Sequence, residues 1–179
     1  MIGGRPVQPT VELLPSTLGP ASADTPFLVV DLDIVRTRYR ELGSALPRAE
    51  VYYAVKANPA AEVLATLIAA GSSFDVASPG EIELCLRLGA DPGQLSYGNT
   101  IKKERDVAAA YRLGLRTFAV DSPAELDKII RQAPGATVFL RLLTDGLGAD
   151  WPLSKKFGAT IGRAWPLMER APGPGILSA

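Results

Sequence analysis

From residue 51 onward the chain repeats one pattern of apolar and polar positions. A short run rich in β-branched and aromatic residues leads into a helix-start signal, then an amphipathic stretch, and usually a closing glycine. The runs at 51–55, 73–77, 94–97, 117–120 and 137–143 predict buried strands. Helices between them are predicted to begin near Pro59, Pro79, Ile101 and Pro123. Asn58-Pro59, Ser78-Pro79 and Ser122-Pro123 each join an N-capping side chain to a first-turn proline, and Gly71, Gly89 and Gly114 stand where left-handed caps belong. Upstream, residues 27–31 predict one more short strand, and Ile34, Val35, Tyr39 and Leu42 predict a helix over 34–46, stopped by Pro47. Residues 1–24, rich in Pro, Gly, Ser and Thr without periodicity, predict a flexible leader.

Strand and helix units in regular alternation imply parallel strands joined by right-handed crossovers. No Gly-x-Gly-x-x-Gly follows any predicted strand, which argues against a dinucleotide-binding sheet, and the regularity favours a barrel. The expected fold class is α/β: a partial (β/α)8 TIM barrel over residues 25–158, holding about five of the eight strands. Residues 159–179, punctuated by Pro and Gly, predict an irregular, divergent tail.

Composition narrows the chemistry. At 179 residues and 47% hydrophobic, the chain suits one domain with a sizeable core. Nineteen basic and 19 acidic residues balance, so nothing marks it for nucleic acid or an anionic membrane. With no histidine, His-based triads, His-ligated metals and imidazole catalysis are excluded, and the lone Cys85 excludes an internal disulfide. No segment approaches the roughly 20 apolar residues of a membrane span, and the expectation is a cytoplasmic protein.

Lys56 is the anomaly, a single cation in Val51-Tyr52-Tyr53-Ala54-Val55-Lys56-Ala57-Asn58-Pro59. Aligning the repeat on Asn58, Ser78 and Ser122 sets Lys56 opposite Val76 and Val120, Asp75 opposite Ala119, and Glu81 opposite Glu125. On that alignment Lys56 and Asp75 are charges the scaffold does not require, at strand ends that in barrels converge on the catalytic face. Two readings fit Lys56: an amine of lowered pKa able to form a Schiff base with a carbonyl, or a snorkelling lysine with its head in water. Asp75 could orient Lys56 or a cofactor substituent, or neutralise a neighbouring cation. Glu81 completes the capping box Ser78-Pro79-Gly80-Glu81, and Glu125 an equivalent box after Ser122, which suffices to explain both. Arg141, within an apolar run, is expected to meet an interior carboxylate such as Asp75. Cys85 reads as core, and Lys155-Lys156-Phe157-Gly158 as a basic loop closed by a turn.

Several of these segments resemble one family. Tyr53-Ala54-Val55-Lys56-Ala57-Asn58, Phe74-Asp75-Val76-Ala77-Ser78 with Glu81, Tyr97-Gly98-Asn99-Thr100-Ile101-Lys102, the stretch 118–126, and Leu140-Arg141-Leu142 through Asp150-Trp151-Pro152-Leu153-Ser154-Lys155-Lys156-Phe157-Gly158 are similar, in unbroken order, to the fold type III (group IV) pyridoxal-phosphate decarboxylases of basic amino acids. The ornithine decarboxylases look most alike. The resemblance implies an alanine racemase-like barrel in which Lys56 holds pyridoxal 5'-phosphate through a Schiff base and Asp75, Glu81 and Arg141 surround the cofactor. It also implies that Lys156 lies near the interface of a homodimer whose sites draw on two chains. The implied activity is decarboxylation of a small amino-acid substrate, ornithine to putrescine in polyamine biosynthesis. Lysine or diaminopimelate stands as an alternative substrate, and a non-catalytic cofactor-binding or decarboxylase-pairing regulator as an alternative role. No metal is implied. After Gly158 the family's further strands and β-domain find no counterpart, so the resemblance implies a truncated chain, impaired as it stands.

Overall fold

The computed structural model describes residues 29–144, 157–171 and 175–178, the last by backbone alone. Contacts divide the chain into Met1–Val30 and Asp31–Ala179; the architecture below is that of the second unit.

The elements alternate strictly. Helix α1 (Leu32–Ala45) precedes β1 (Tyr52–Ala54), α2 (Ala61–Ala69), β2 (Ser73–Val76), α3 (Pro79–Arg87), β3 (Leu95–Tyr97), α4 (Glu104–Arg112), β4 (Thr117–Val120), α5 (Pro123–Gln132), β5 (Thr137–Arg141), α6 (Ile161–Glu169) and β6 (Gly175–Ser178). All neighbouring strands pair in parallel, in the order β1-β2-β3-β4-β5-β6. A doubly wound sheet reverses its strand order at a switch point; this sheet does not, and the sequential order is that of a (β/α) barrel wall.

Register sorts the strand side chains into two layers. Tyr53 pairs with Phe74, Phe74 with Leu95, Tyr97 with Phe118 and Phe118 with Val138. Side chains alternate along a strand, so these residues share one face with Val76, Val120 and Leu140. On that face Phe74, Val76, Phe118 and Leu140 are buried, in one core with Leu64, Ile82, Leu126 and Ile129 of the helices. Apart from Tyr52 and Phe139 the opposite face is small or polar: Ala54 pairs with Asp75, Asp75 with Ser96 and Ser96 with Thr117, and Arg141 follows Phe139 on it.

Local signals place most boundaries. Ser78 Oγ accepts from Glu81 N at 3.3 Å to start α3, and Gly71, Gly89 and Gly114 have positive φ as expected after α2, α3 and α4. Four expectations need correction. No strand forms over Val29 to Asp31, because the Asp31 carboxylate accepts from Asp33 N and Ile34 N and caps α1; Phe27 and Leu28 lie outside the described residues. Asn58 does not cap α2, whose N-cap is Ala60; its Oδ1 instead accepts from Ala60 N in a local turn. Ser122 precedes α5 without a side-chain cap bond. Finally, the expected irregular tail beginning at residue 159 carries α6 and β6, so the sheet has six described strands. The Leu142–Ala159 bridge explains this start: Ala159 N donates to Arg141 O and Leu143 N to Ala159 O, laying the returning chain along β5. Residues 1–24 lie outside the described residues.

Candidate active site

Lys56 stands just past the end of β1. The strand closes at Ala54, and Val55–Ala57 form a single 3-10 turn. Val55 is fully buried in the core, whereas Lys56 is exposed. This corrects the repeat alignment. Pairing of Tyr53 with Phe74 and of Ala54 with Asp75 carries Val55 level with Val76, so Lys56 corresponds to Ala77 and displaces no core valine. Aligning on Asn58 misplaced it by one residue because Asn58 is not a helix cap. The Tyr53 hydroxyl donates to Asn58 O at 3.2 Å and ties this turn back to the strand.

Asp75 is the centre of the site. Its carboxyl is held above the usual carboxylate range, chiefly because burial penalises the charged form. The Lys56 charge opposes that rise, Glu81 adds to it, and the Gly98 amide and the Arg141 charge oppose it. Lys56, Glu81 and Arg141, the other residues named as cofactor contacts, thus each lie within electrostatic reach of Asp75, with no salt bridge to it among the described residues. Gly98, the first residue after β3, lies directly against this carboxylate. A Cβ there would stand 1.8 Å from Asp75 Oδ1 and 2.8 Å from Oδ2.

Glu81 differs from its expected role by one residue. Its Oε2 accepts from the Ala77 amide at 2.8 Å rather than from that of Ser78, so only the serine half of the box forms. Glu125 departs further. It accepts from Lys102 N at 3.1 Å and pairs with the ammonium groups of Lys102 and Lys128, so it belongs to a buried ion cluster and not to a cap. Arg141 needs no interior partner, because alternation puts it on the open face, where it is exposed and its guanidinium carbon lies 5.2 Å from the Phe157 ring centroid. Lys156 lies outside the described residues. No group of three or more His, Cys, Asp or Glu side chains among the described residues could hold a metal.

Sequence reasoning missed the Lys102–Glu125–Lys128 cluster and the contact of Gly98 with Asp75. Lys102 was visible only as the last residue of the third family-like segment, and Glu125 had a sufficient local explanation. Asp121, next after β4, was also passed over; its Oδ2 accepts from Gly158 N at 3.2 Å and fixes the returning chain beside Arg141.

Comparison with known proteins decides the family. The profile described as "Pyridoxal-dependent decarboxylase, pyridoxal binding domain" matches residues 32–173. The chain belongs to that family. It is 43% identical over 152 residues to the lysine/ornithine decarboxylase of Selenomonas ruminantium, covering 85% of this chain and 39% of that protein. Against the ornithine decarboxylase of Rattus norvegicus it is 39% identical over 145 residues, covering 81% and 32%. The structure of SrLDC in complex with PLP and cadaverine superposes with a TM-score of 0.78 at 41% identity, over 87% of this chain and 40% of that one. The lysine/ornithine decarboxylase of Vibrio vulnificus complexed with putrescine gives 0.72 at 32% identity, over 82% and 39%. The chain therefore spans about two fifths or less of the length of these relatives. The match to residue 173 also runs past Gly158, so likeness to the family does not stop where the sequence motifs do.

No helix among the described residues is long and apolar enough to cross a membrane.

Proposed function

We propose that this chain carries the cofactor-attachment part of a pyridoxal-phosphate-dependent decarboxylase of a basic amino acid, with ornithine, yielding putrescine, as the substrate. One observation carries the reading. An exposed lysine at a strand end, a half-buried carboxylate and an arginine share the polar side of the sheet at the C-terminal ends of its strands, where barrel enzymes do their chemistry.

The residues fit the cofactor. Lys56 offers a reachable amine for the aldehyde carbon, and Asp75 offers a desolvated carboxylate that can orient Lys56 or a cofactor substituent. Gly98 leaves the space that this carboxylate fills. When bound, pyridoxal phosphate supplies an electron sink for the pair left behind by departing carbon dioxide. The chain's part is to attach, orient and tune. Lys56 yields its place to the substrate amine and can carry a proton back and forth at its Nζ. Glu81, fixed by the Ala77 amide, keeps a negative charge near Asp75, and Arg141 supplies the opposing positive charge. Lys156 is proposed to lie near the interface of a homodimer whose second subunit completes the site, in the cytoplasm.

The test is to add pyridoxal phosphate and follow the visible absorption of the lysine-bound cofactor in wild type and K56A, then to measure carbon dioxide release from ornithine and from lysine. A band lost in K56A supports attachment, and faster release from ornithine supports the substrate. Equal spectra remove the cofactor claim. A band without release leaves a cofactor-binding protein and removes the enzymatic one.

A further inference from the structure

The loop after β3 is folded around its own lysine. The Lys102 side chain is fully buried, and its Nζ donates to Ala119 O of β4 at 2.6 Å, to Asn99 O at 2.8 Å and to Thr100 O at 3.5 Å. Glu125 Oε2 lies 3.6 Å from the same ammonium, and the Tyr97 ring centroid 5.7 Å away. The backbone of this lysine is fastened as well. Glu125 accepts from Lys102 N, while Lys128 Nζ bonds both Glu125 Oε1 and Lys102 O. One residue therefore locks the loop to β4 through its side chain and to α5 through its backbone.

Packing alone does not call for a cation here. Burying an ammonium is costly unless it is paired and fully hydrogen-bonded, and an apolar side chain of similar volume would often be neutral or better. A methionine, however, would leave the carbonyls of Asn99 and Ala119 and the Glu125 carboxylate without this donor, and the loop would have to open to hydrate them. What the ammonium secures is thus the path of residues 99–102. That path continues from Gly98, whose own amide donates to Val76 O at 3.0 Å and whose missing Cβ leaves space taken up by the Asp75 carboxylate.

We infer that Lys102 is a positioning residue for Asp75: by drawing the Asn99 and Thr100 carbonyls against β4, its buried ammonium sets Gly98 against the carboxylate that would meet the cofactor. The inference rests on the cofactor reading given above.

Two arms test it. In the full-length chain without cofactor, Lys102→Met should speed amide exchange at Gly98, Asn99 and Thr100 by about tenfold while β1 and α2 keep their protection. With pyridoxal phosphate added, K102M should weaken the affinity read from the bound-cofactor absorption by about tenfold, and the double variant with Gly98→Ala should bind no more weakly than G98A alone. Loop amides and affinity within about twofold of wild type would overturn the inference, as would full additivity with G98A. If K102M loses cooperative unfolding, Lys128→Met cuts the outer bond to Lys102 O and keeps the ammonium; it should raise exchange at the same amides by a few-fold, about threefold, and unchanged exchange would overturn the inference. If the wild type shows no bound-cofactor band, the cofactor reading fails, and the exchange arm still decides whether Lys102 sets the loop.

Discussion

Asp75 and Gly98 share one space: a Cβ on Gly98 would lie 1.8 Å from Asp75 Oδ1 and 2.6 Å from its Cγ. Asp75 lies in β2 and Gly98 directly follows the adjacent β3, and only the absence of a side chain at 98 leaves room for the carboxylate in its place. Gly98→Ala is expected to push the Asp75 carboxylate away from its place. Pyridoxal phosphate affinity should fall by about tenfold, the effect of losing one charge-assisted contact. Titration of bound-cofactor absorption in G98A and D75A checks this; the two losses should be similar and not additive.

Lys102 makes stability depend on alkaline pH. Burial lowers its ammonium from 10.5 to about 8, with Glu125 opposing the fall. Between those values the unfolded chain binds more protons than the folded one, so the Lys102 contribution raises stability as pH climbs from about 8 to 10.5. Burial acts oppositely on the Cys85 thiol, raising it from 9.0 to about 11, so that its contribution falls as pH climbs through that range. Urea unfolding across pH 8–9 should show the Lys102 rise, which K102M flattens. Cys85→Ala should extend the rise above pH 9.

Glu81 and Glu125 occupy matching places in the repeat but do different work, and neutralising them should separate the two. Glu81→Gln keeps an oxygen for the Ala77 amide and should cost less than about 1 kcal/mol. Glu125→Gln leaves the buried Lys102 ammonium without its counter-charge and should cost about 3 kcal/mol. Free energies from denaturant unfolding compare them directly; equal losses would contradict the assignment of Glu125 to the ion cluster.

Gly158 has φ of +113°, and a Cβ there would stand 2.6 Å from Leu143 N and 2.7 Å from Leu142 O. Because these are backbone atoms, no rotamer change relieves the clash. Gly158→Ala should therefore break the Leu142–Ala159 bridge, release the Asp121 contact and cost about 2–3 kcal/mol. Calorimetry would register a lowered Tm, and G158A should also weaken the stacking of Arg141 on Phe157.

The sequence by itself determined the alternation of strands and helices, the glycine caps and the start of α3, because each depends on neighbours within a turn or two of chain. Five family-like segments in order were enough to anticipate the pyridoxal-dependent decarboxylase family. What only the tertiary structure decided lies between elements. Glu125 had a local partner available in its own first turn, yet it is taken by Lys102, 23 residues away, because a buried ammonium needs that carboxylate more than a neutral cap amide does. The one-residue offset of Lys56 follows from the ladder between β1 and β2, not from the caps that flank them. Arg141 looked stranded among apolar residues until strand register showed that its neighbours face the helices while it faces away. Local sequence sets where an element begins and ends; which side chains meet across the sheet is set by register and by competition for buried charge.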